Sequence, residues 1–266
     1  MTIRLKLPPK KAHDTSESTK GVGSAKVLSG KVHVLSVFVG PYTDPWNPAD
    51  IARQKQKLVE AERWLKAQAA RYGKVVEFVN STYGSNGSFM DNELPRQGDS
   101  NDFQYLYPSK VLLKMGFKNK STYVEWVRSK FGSQQCLVVV FSNTMGRSYA
   151  SPCTKELYAY DPHQFNLECC FLYKCFPNSN IETNAASIAH EILHLFGAWD
   201  LYEDMPGHAR AAKTAVMFPN SIMLNVSDNI WELQIDEINA WLVGLKETGK
   251  EWYRWFEPYQ ERYESE

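Results

Sequence analysis

The chain has 266 residues, of which 43% are apolar and 23% are charged, and this composition excludes a largely disordered, collagen-like or coiled-coil protein. Its 30 Lys and Arg residues balance its 30 Asp and Glu residues, so no net charge draws the chain to nucleic acid or to an anionic membrane. No apolar run approaches the ~20 residues that span a bilayer, and the N-terminus lacks the apolar segment of a secretory signal. We therefore expect a cytoplasmic monomer that binds neither membranes nor nucleic acid.

The N-terminal part of the chain predicts a tail followed by a βαβ unit. Residues 1–26 are rich in Lys, Ser, Thr, Gly and Pro without periodicity, which predicts a flexible tail. An apolar, β-branched run over residues 32–39 predicts a buried strand, and residues 47–73 carry the cap and the spacing of a long helix. Residues 74–79 predict a second strand. Because a long helix joins them, the two strands are expected to be parallel.

The middle of the chain predicts a long connection and then the centre of a sheet. Residues 81–109 are crowded with Gly, Ser, Asn, Asp and Pro, which indicates an irregular connection. A short helix is predicted over residues 121–131. Three consecutive valines within residues 136–141 are typical of a strand covered on both faces, so we expect this strand to be central. Further strands are predicted over residues 147–151 and 169–176.

The C-terminal part predicts two helices separated by irregular chain. One helix is expected over residues 180–196, and about 20 irregular residues follow it. A second helix is predicted from apolar residues at helical spacing, namely Trp231, Ile235, Ile238, Leu242 and Leu245. The aromatic segment 252–263 is expected to pack on its own domain. The five cysteines are an odd number in a large chain, so we expect reduced and mostly buried thiols, with Cys169 and Cys170 on opposite faces of a strand.

The sequence HEILHLFGAWD, from residue 190 to residue 200, carries the chemistry. On a helix, His190 and His194 lie four residues apart on one face, close enough for both imidazoles to bind one metal ion, for which zinc is the natural choice. Glu191 lies beside that metal, where it can act as general base on a water molecule. Gly197 can turn the chain sharply after the helix, and Asp200 can then return as a third ligand, leaving the fourth position open for catalysis.

These residues resemble the metzincin zinc endopeptidases, in the variant HExxHxxGxxD that has Asp where most members have a third His. Metzincins also have a Met-containing turn beneath the metal, for which Met223 is the candidate and Met217 the alternative. The resemblance covers about residues 31–245. It implies an endopeptidase with one zinc ion, held by the two histidines and the aspartate, that cleaves protein or peptide substrates.

The resemblance also implies an architecture. We expect an α/β (α+β) fold with a mixed, twisted sheet and helices in an N-terminal catalytic subdomain, residues 27–197, that ends with the active-site helix. A small, irregular C-terminal subdomain, residues 198–266, would carry the Met-turn and end in a helix. In metzincins the substrate lies extended beside an antiparallel edge strand, and residues 147–151 are the candidate for that strand.

Several alternatives stay open. Glu232, with Asp236 four residues later, resembles the third ligand and its partner in other HExxH peptidases, and His208 is another possible third ligand. The Met-turn is not followed by the tyrosine that some metzincins supply, and Tyr202 is a candidate substitute. The alternative function is a non-enzymatic interaction protein whose metal site on the same helix is structural.

Overall fold

The computed structural model describes residues 19–84, 101–202 and 209–257 of the chain. The strands are β1 (Gly30–Val39), β2 (Val76–Tyr83), β3 (Gln135–Met145), β4 (Tyr149–Ser151) and β5 (Glu168–Cys175). The α-helices are α1 (Pro48–Ala70), α2 (Asn101–Lys114), α3 (Lys120–Phe131), α4 (Lys155–Tyr160), α5 (Ala185–Leu195), α6 (Arg210–Met217) and α7 (Glu237–Leu242). Two 3₁₀ helices cover Ile230–Glu232 and Glu251–Phe256.

The five strands form one mixed sheet in the order β2-β1-β3-β5-β4. β1, β2, β3 and β5 are parallel, and β4 pairs with β5 in the antiparallel direction at the edge. The predicted α/β fold, the parallel β1-α1-β2 unit and the central position of β3 are therefore confirmed. The predicted strand within residues 147–151 is this antiparallel edge strand.

Helices cover both faces of the sheet, which explains the long apolar strands. One core contains α1, α5 and the C-terminal elements, and it receives alternate strand residues such as Val139 and Cys170. The other core contains α2 and α3, and it receives the intervening residues such as Val138 and Cys169. Cys169 and Cys170 thus lie on opposite faces, as predicted, and all five cysteines are free thiols. Among the described helices, none has both the length and the apolar character needed to cross a membrane.

The predicted N-terminal tail is wrong for residues 19–26, whereas residues 1–18 lie outside the described residues. The backbone amides of Ser24 and Ala25 donate hydrogen bonds to the buried Glu168 carboxylate at 2.7 and 3.3 Å. Ala25 and Leu28 are fully buried in the core below α1. A buried carboxylate needs several donors, and these amides supply them, so the segment is ordered by partners far along the chain rather than by a local pattern.

Two further predictions of local structure are also corrected. The predicted connection over residues 81–109 contains the start of α2, a helix with an internal proline, Pro108. The segment after α5 that was predicted to be irregular contains α6. The division into subdomains at residue 197 stays a prediction.

The single helix predicted from residue 231 onward is two short elements. Asp236 starts α7, because its side chain accepts hydrogen bonds from the amides of Ile238 and Asn239. Trp231 lies outside that helix in the 3₁₀ turn and is half exposed. Of the aromatic C-terminal segment, the described part does pack on its own domain, since Tyr253 and Phe256 are fully buried.

One buried carboxylate of α1 makes the stability of the fold depend on pH. Glu62 is 5% exposed, and only one of its oxygens has a hydrogen-bond donor in the described residues, the Asn80 amide at 3.0 Å. Burial raises the pKa of Glu62 from 4.5 to about 7. The folded state binds this proton more tightly than the unfolded state does. Protonation of Glu62 therefore adds to the free energy of unfolding; the contribution is complete below pH 4.5 and is lost as the pH rises through 7.

We therefore expect Glu62→Gln to stabilise the protein more at pH 8 than at pH 5. The difference in the free energy of unfolding should be about 2–3 kcal/mol, since each unit of pKa shift corresponds to about 1.4 kcal/mol. Urea denaturation at both pH values measures it. Glu60→Gln, an exposed change on the same helix, is the matched control and should have no such effect. An equal gain at both pH values would contradict the prediction.

Candidate metal centre

The helix α5 carries the histidines and is fixed at its N-terminus by side chains. Asn184 caps it, because the Asn184 side chain accepts a hydrogen bond from the amide of Ser187 at 2.9 Å. Lys57 of α1 donates to the carbonyl oxygen of Thr183 at 2.8 Å, just before the helix. Nearly every residue of α5 is buried, and the helix packs beside α1 and against β4 and β5. The helix therefore presents its histidines from a rigid position in the core.

The helix ends in a sharp turn that only glycine fits. Gly197 has a φ of +98°, and a Cβ atom there would lie 2.7 Å from the carbonyl oxygen of Thr19. The Thr19 hydroxyl donates to the Gly197 carbonyl at 2.8 Å and accepts from the Trp199 indole at 3.1 Å. The turn brings Asp200 back beside His190 and His194.

Three potential ligand atoms meet at this point. The Nε2 atoms of His190 and His194 are 3.2 Å apart, and each is 3.1 Å from Oδ1 of Asp200. The Nδ1 atoms of the two imidazoles face backbone carbonyl oxygens at 2.9 Å, that of Ile222 for His190 and that of Ala198 for His194. A carbonyl accepts only, so each Nδ1 carries a proton, and in its neutral form each imidazole directs an Nε2 lone pair inward.

This arrangement fits a cation. Two imidazole Nε2 atoms and a carboxylate oxygen converge, and the buried Oδ1 of Asp200 has no partner besides these imidazoles within the described residues. Three acceptors at 3.1–3.2 Å repel one another unless positive charge lies between them. Tetrahedral zinc with ligands at 2.0–2.1 Å separates neighbouring ligand atoms by about 3.3 Å, close to these distances. His190 and His194, together with Glu191, thus form part of a buried group that could hold a metal ion.

The charges around the centre also favour a cation. Burial lowers the pKa of the His194 imidazole, but the Asp200 carboxylate outweighs this effect and raises the pKa to about 9. Burial raises the pKa of Asp200, but the two imidazoles outweigh it and hold the pKa well below its usual range. The site therefore attracts positive charge, which a proton or a metal ion can supply.

Glu191 lies in a cavity beside the histidines. The cavity has a volume of about 340 Å³, and its wall includes His190, Glu191, Arg147 and Tyr202. Burial raises the pKa of Glu191, while the charges of the imidazoles and of Arg147 lower it. Apolar side chains form much of the remaining wall, namely Phe176, Ile222, Leu224 and Val226. A buried carboxylate, an open cavity and a cation-attracting centre are therefore adjacent.

The segment around Met223 lies against the histidines. Met223 is fully buried, its amide donates to the Ser221 hydroxyl at 3.1 Å, and its carbonyl accepts from the amide of Leu201 at 2.9 Å. The preceding carbonyl, that of Ile222, is the partner of His190. Met217, the alternative, is 39% exposed at the end of α6.

The other candidates occupy different places. Glu232 is exposed and accepts hydrogen bonds from the side chains of Ser227 and Asn229, and it is not one of the converging ligand atoms. Asp236 is buried and caps α7. His208 lies outside the described residues. The ring of Tyr202 lies 6.0 Å from that of His190, centroid to centroid, at the cavity.

The sequence did not single out two features of the site. Arg147 was noted only as the start of a strand, but it lines the cavity and acts electrostatically on Glu191. The carbonyl oxygens of Ile222 and Ala198 orient the imidazoles, and backbone atoms leave no mark in a sequence. Comparison with known proteins identifies no relative: the chain matches no protein-family model, and no curated protein is significantly similar to it.

Proposed function

We propose that this protein is a zinc-dependent endopeptidase of the metzincin type, with His190, His194 and Asp200 as the zinc ligands. The observation that carries the proposal is the convergence of two imidazole Nε2 atoms and one carboxylate oxygen at 3.1–3.2 Å beside the carboxylate of Glu191. Two imidazoles and one carboxylate are a donor set found in catalytic zinc sites, which keep one position open. The parallel sheet with one antiparallel edge strand is compatible with the architecture that the sequence resemblance implies.

In the proposed reaction the residues of the chain handle the protons. A bound zinc ion supplies Lewis acidity, which brings the pKa of water near neutrality and polarises a peptide carbonyl. Glu191 accepts the proton of the attacking water and then donates it to the nitrogen of the leaving amine as the C–N bond breaks. Tyr202 and Arg147 line the cavity where the oxygen of the scissile carbonyl becomes negative, and either can stabilise that charge.

The proposed substrate is a protein or peptide in an extended conformation. β4 is one of the two edge strands of the sheet, and the residues just before it, Arg147 and Ser148, line the same cavity as Glu191. A peptide that adds to this edge would pass the metal centre with its backbone held by hydrogen bonds. The apolar wall formed by Ile222, Leu224 and Val226 suits one apolar side chain of such a peptide.

A structural metal site is the alternative, and the cavity argues against it. Structural zinc sites are closed by four protein ligands, whereas the part of the chain that the structure describes brings three ligand atoms together here, and the centre opens beside a buried carboxylate. A structural metal would also be coupled to folding, so that its removal unfolds the domain.

A peptide-library digestion with and without a zinc chelator tests the proposal. We expect cleavage within peptides by the zinc-loaded protein, complete loss of cleavage with the chelator, and recovery after zinc is added back. Circular dichroism should show that most of the fold survives chelation, because two packed cores hold it independently of the metal. Unfolding on chelation, without cleavage at any stage, would favour the structural alternative and overturn the proposal.

A further inference from the structure

The two histidines are oriented by carbonyl groups that belong to separate segments of the chain. Ala198, whose carbonyl faces His194, lies in the turn after α5. Ile222, whose carbonyl faces His190, lies in a turn that precedes the first 3₁₀ helix, Ile230–Glu232. Both carbonyls must hold their positions for the two Nε2 atoms to meet at one point. Something must therefore fix these two segments relative to each other.

The amide of Leu201 donates to the carbonyl of Met223 at 2.9 Å, and a buried carboxylate, that of Asp236, adds a connection through side chains. The Oδ2 atom of Asp236 accepts a hydrogen bond from the Ser221 hydroxyl at 2.7 Å, and Ser221 in turn accepts from the amide of Met223, next to Ile222. The same Oδ2 atom accepts from the side-chain amide of Asn239 at 2.9 Å. Asn239 then binds both backbone groups of Trp199, next to Ala198, accepting from its amide at 2.7 Å and donating to its carbonyl at 3.3 Å.

Asp236 has the chemistry that this position requires. Its Oδ1 atom accepts from the amides of Ile238 and Asn239, so its two oxygens receive four hydrogen bonds in all. Ser221, Asp236 and Asn239 are each at most 2% exposed, and water cannot replace a missing partner there. An amide at position 236 would turn one acceptor into a donor and oppose the Ser221 hydroxyl or the Asn239 amide.

We propose that Asp236, acting through Ser221 and Asn239, is the positioning residue of the metal centre. Together with the backbone hydrogen bond from Leu201 to Met223, it sets the distance between the two turns whose carbonyls orient His190 and His194. The inference rests on the metal centre of the proposed function, but its test measures metal affinity and does not require peptide hydrolysis. Such outer partners of metal ligands typically contribute 10–100-fold to metal affinity.

The hydrogen-bond network has two arms, one from Asp236 through Ser221 and one from Asp236 through Asn239. The test compares zinc affinity in variants that each remove one arm. Ser221→Ala removes the arm to the His190 side, and Asn239→Ala removes the arm to the His194 side. We expect each to weaken zinc binding by about 10–100-fold in competition with a chromophoric chelator. Asp236→Asn, which disturbs both arms, should weaken it further, and the visible spectrum of the Co²⁺-loaded variants should change because the ligands are displaced.

Glu168→Gln is the matched control for a purely structural effect. Glu168 is also a buried carboxylate with four hydrogen bonds, from the amides of Ser24, Ala25 and Cys153 and from the Ser24 hydroxyl. It lies away from the cavity, because it starts β5, whereas the cavity residues Arg147 and Ser148 lie near the other end of that strand. We expect it to lose stability and to keep wild-type zinc affinity. Wild-type zinc affinity in both Ser221→Ala and Asn239→Ala, or an equal loss in Glu168→Gln, would overturn the proposal. Wild-type protein that binds zinc without cleaving peptides would contradict the proposed function only.

Discussion

Glu191→Gln is expected to stop peptide hydrolysis while leaving the bound metal in place. The amide is nearly the same size as the carboxylate but cannot accept a proton from water, so the substitution removes the general base. The three converging ligand atoms belong to His190, His194 and Asp200, and they are unchanged. The loss of rate should be about 10²–10⁴-fold, the usual contribution of a general base.

The rate is measured from initial velocities on the best peptide of the library, and the metal content from elemental analysis of the same preparation. Glu232→Gln is the matched control, because Glu232 is the exposed glutamate that the sequence left open as a third ligand. It should keep both activity and metal. Glu191→Gln protein that retains the wild-type rate would refute the mechanism, and loss of its metal would show that Glu191 is a ligand instead.

The sheet could be predicted from the sequence because its strands carry their own signal. β1 and β3 are covered on both faces, so each is a continuous β-branched run, and α1 has a cap and regular apolar spacing. The parallel direction of β1 and β2 followed from the long helix that connects them. These features are local, and a local pattern is what a sequence shows directly.

The parts that were missed depend on contacts between distant residues. Residues 19–26 have no periodicity, and they are held by Glu168 and Gly197, more than 140 residues away. α2 was hidden by Pro108 and by its polar surroundings. The helix predicted from residue 231 was misplaced because its apolar spacing runs on through position 236, whereas the side chain of Asp236 starts α7 there.

At the site, the sequence indicated the ligands but not what holds them. The spacing of His190 and His194 and the glycine at position 197 have direct geometric consequences, and the structure shows both. The carbonyls of Ala198 and Ile222, and the network through Asp236, involve backbone atoms and long-range pairs. In the sequence they leave no more than an Asp that can cap a helix, at position 236, and a Ser beside Ile222.

Asp200→Ala is expected to cause the second large effect, a loss of zinc affinity of about 10²–10³-fold. Structural zinc sites gain about 10–16 kcal/mol from four ligands, so each ligand contributes about 2.5–4 kcal/mol. Asp200 supplies the third ligand atom and the negative charge that balances the cation, so its removal leaves two neutral imidazoles. His190→Ala should have an effect of similar size.

The comparison that decides the third ligand uses Asp200→Ala, Glu232→Ala and His208→Ala side by side. Only the first should weaken zinc binding, because Asp200 Oδ1 is the acceptor that lies 3.1 Å from both imidazoles. Isothermal titration with zinc, after chelation and dialysis, measures all three affinities under the same conditions. If Asp200→Ala bound zinc as tightly as the wild type while Glu232→Ala or His208→Ala did not, the turn at Gly197 would have no role in coordination. The likeness to the HExxHxxGxxD peptidases would then be limited to the helix.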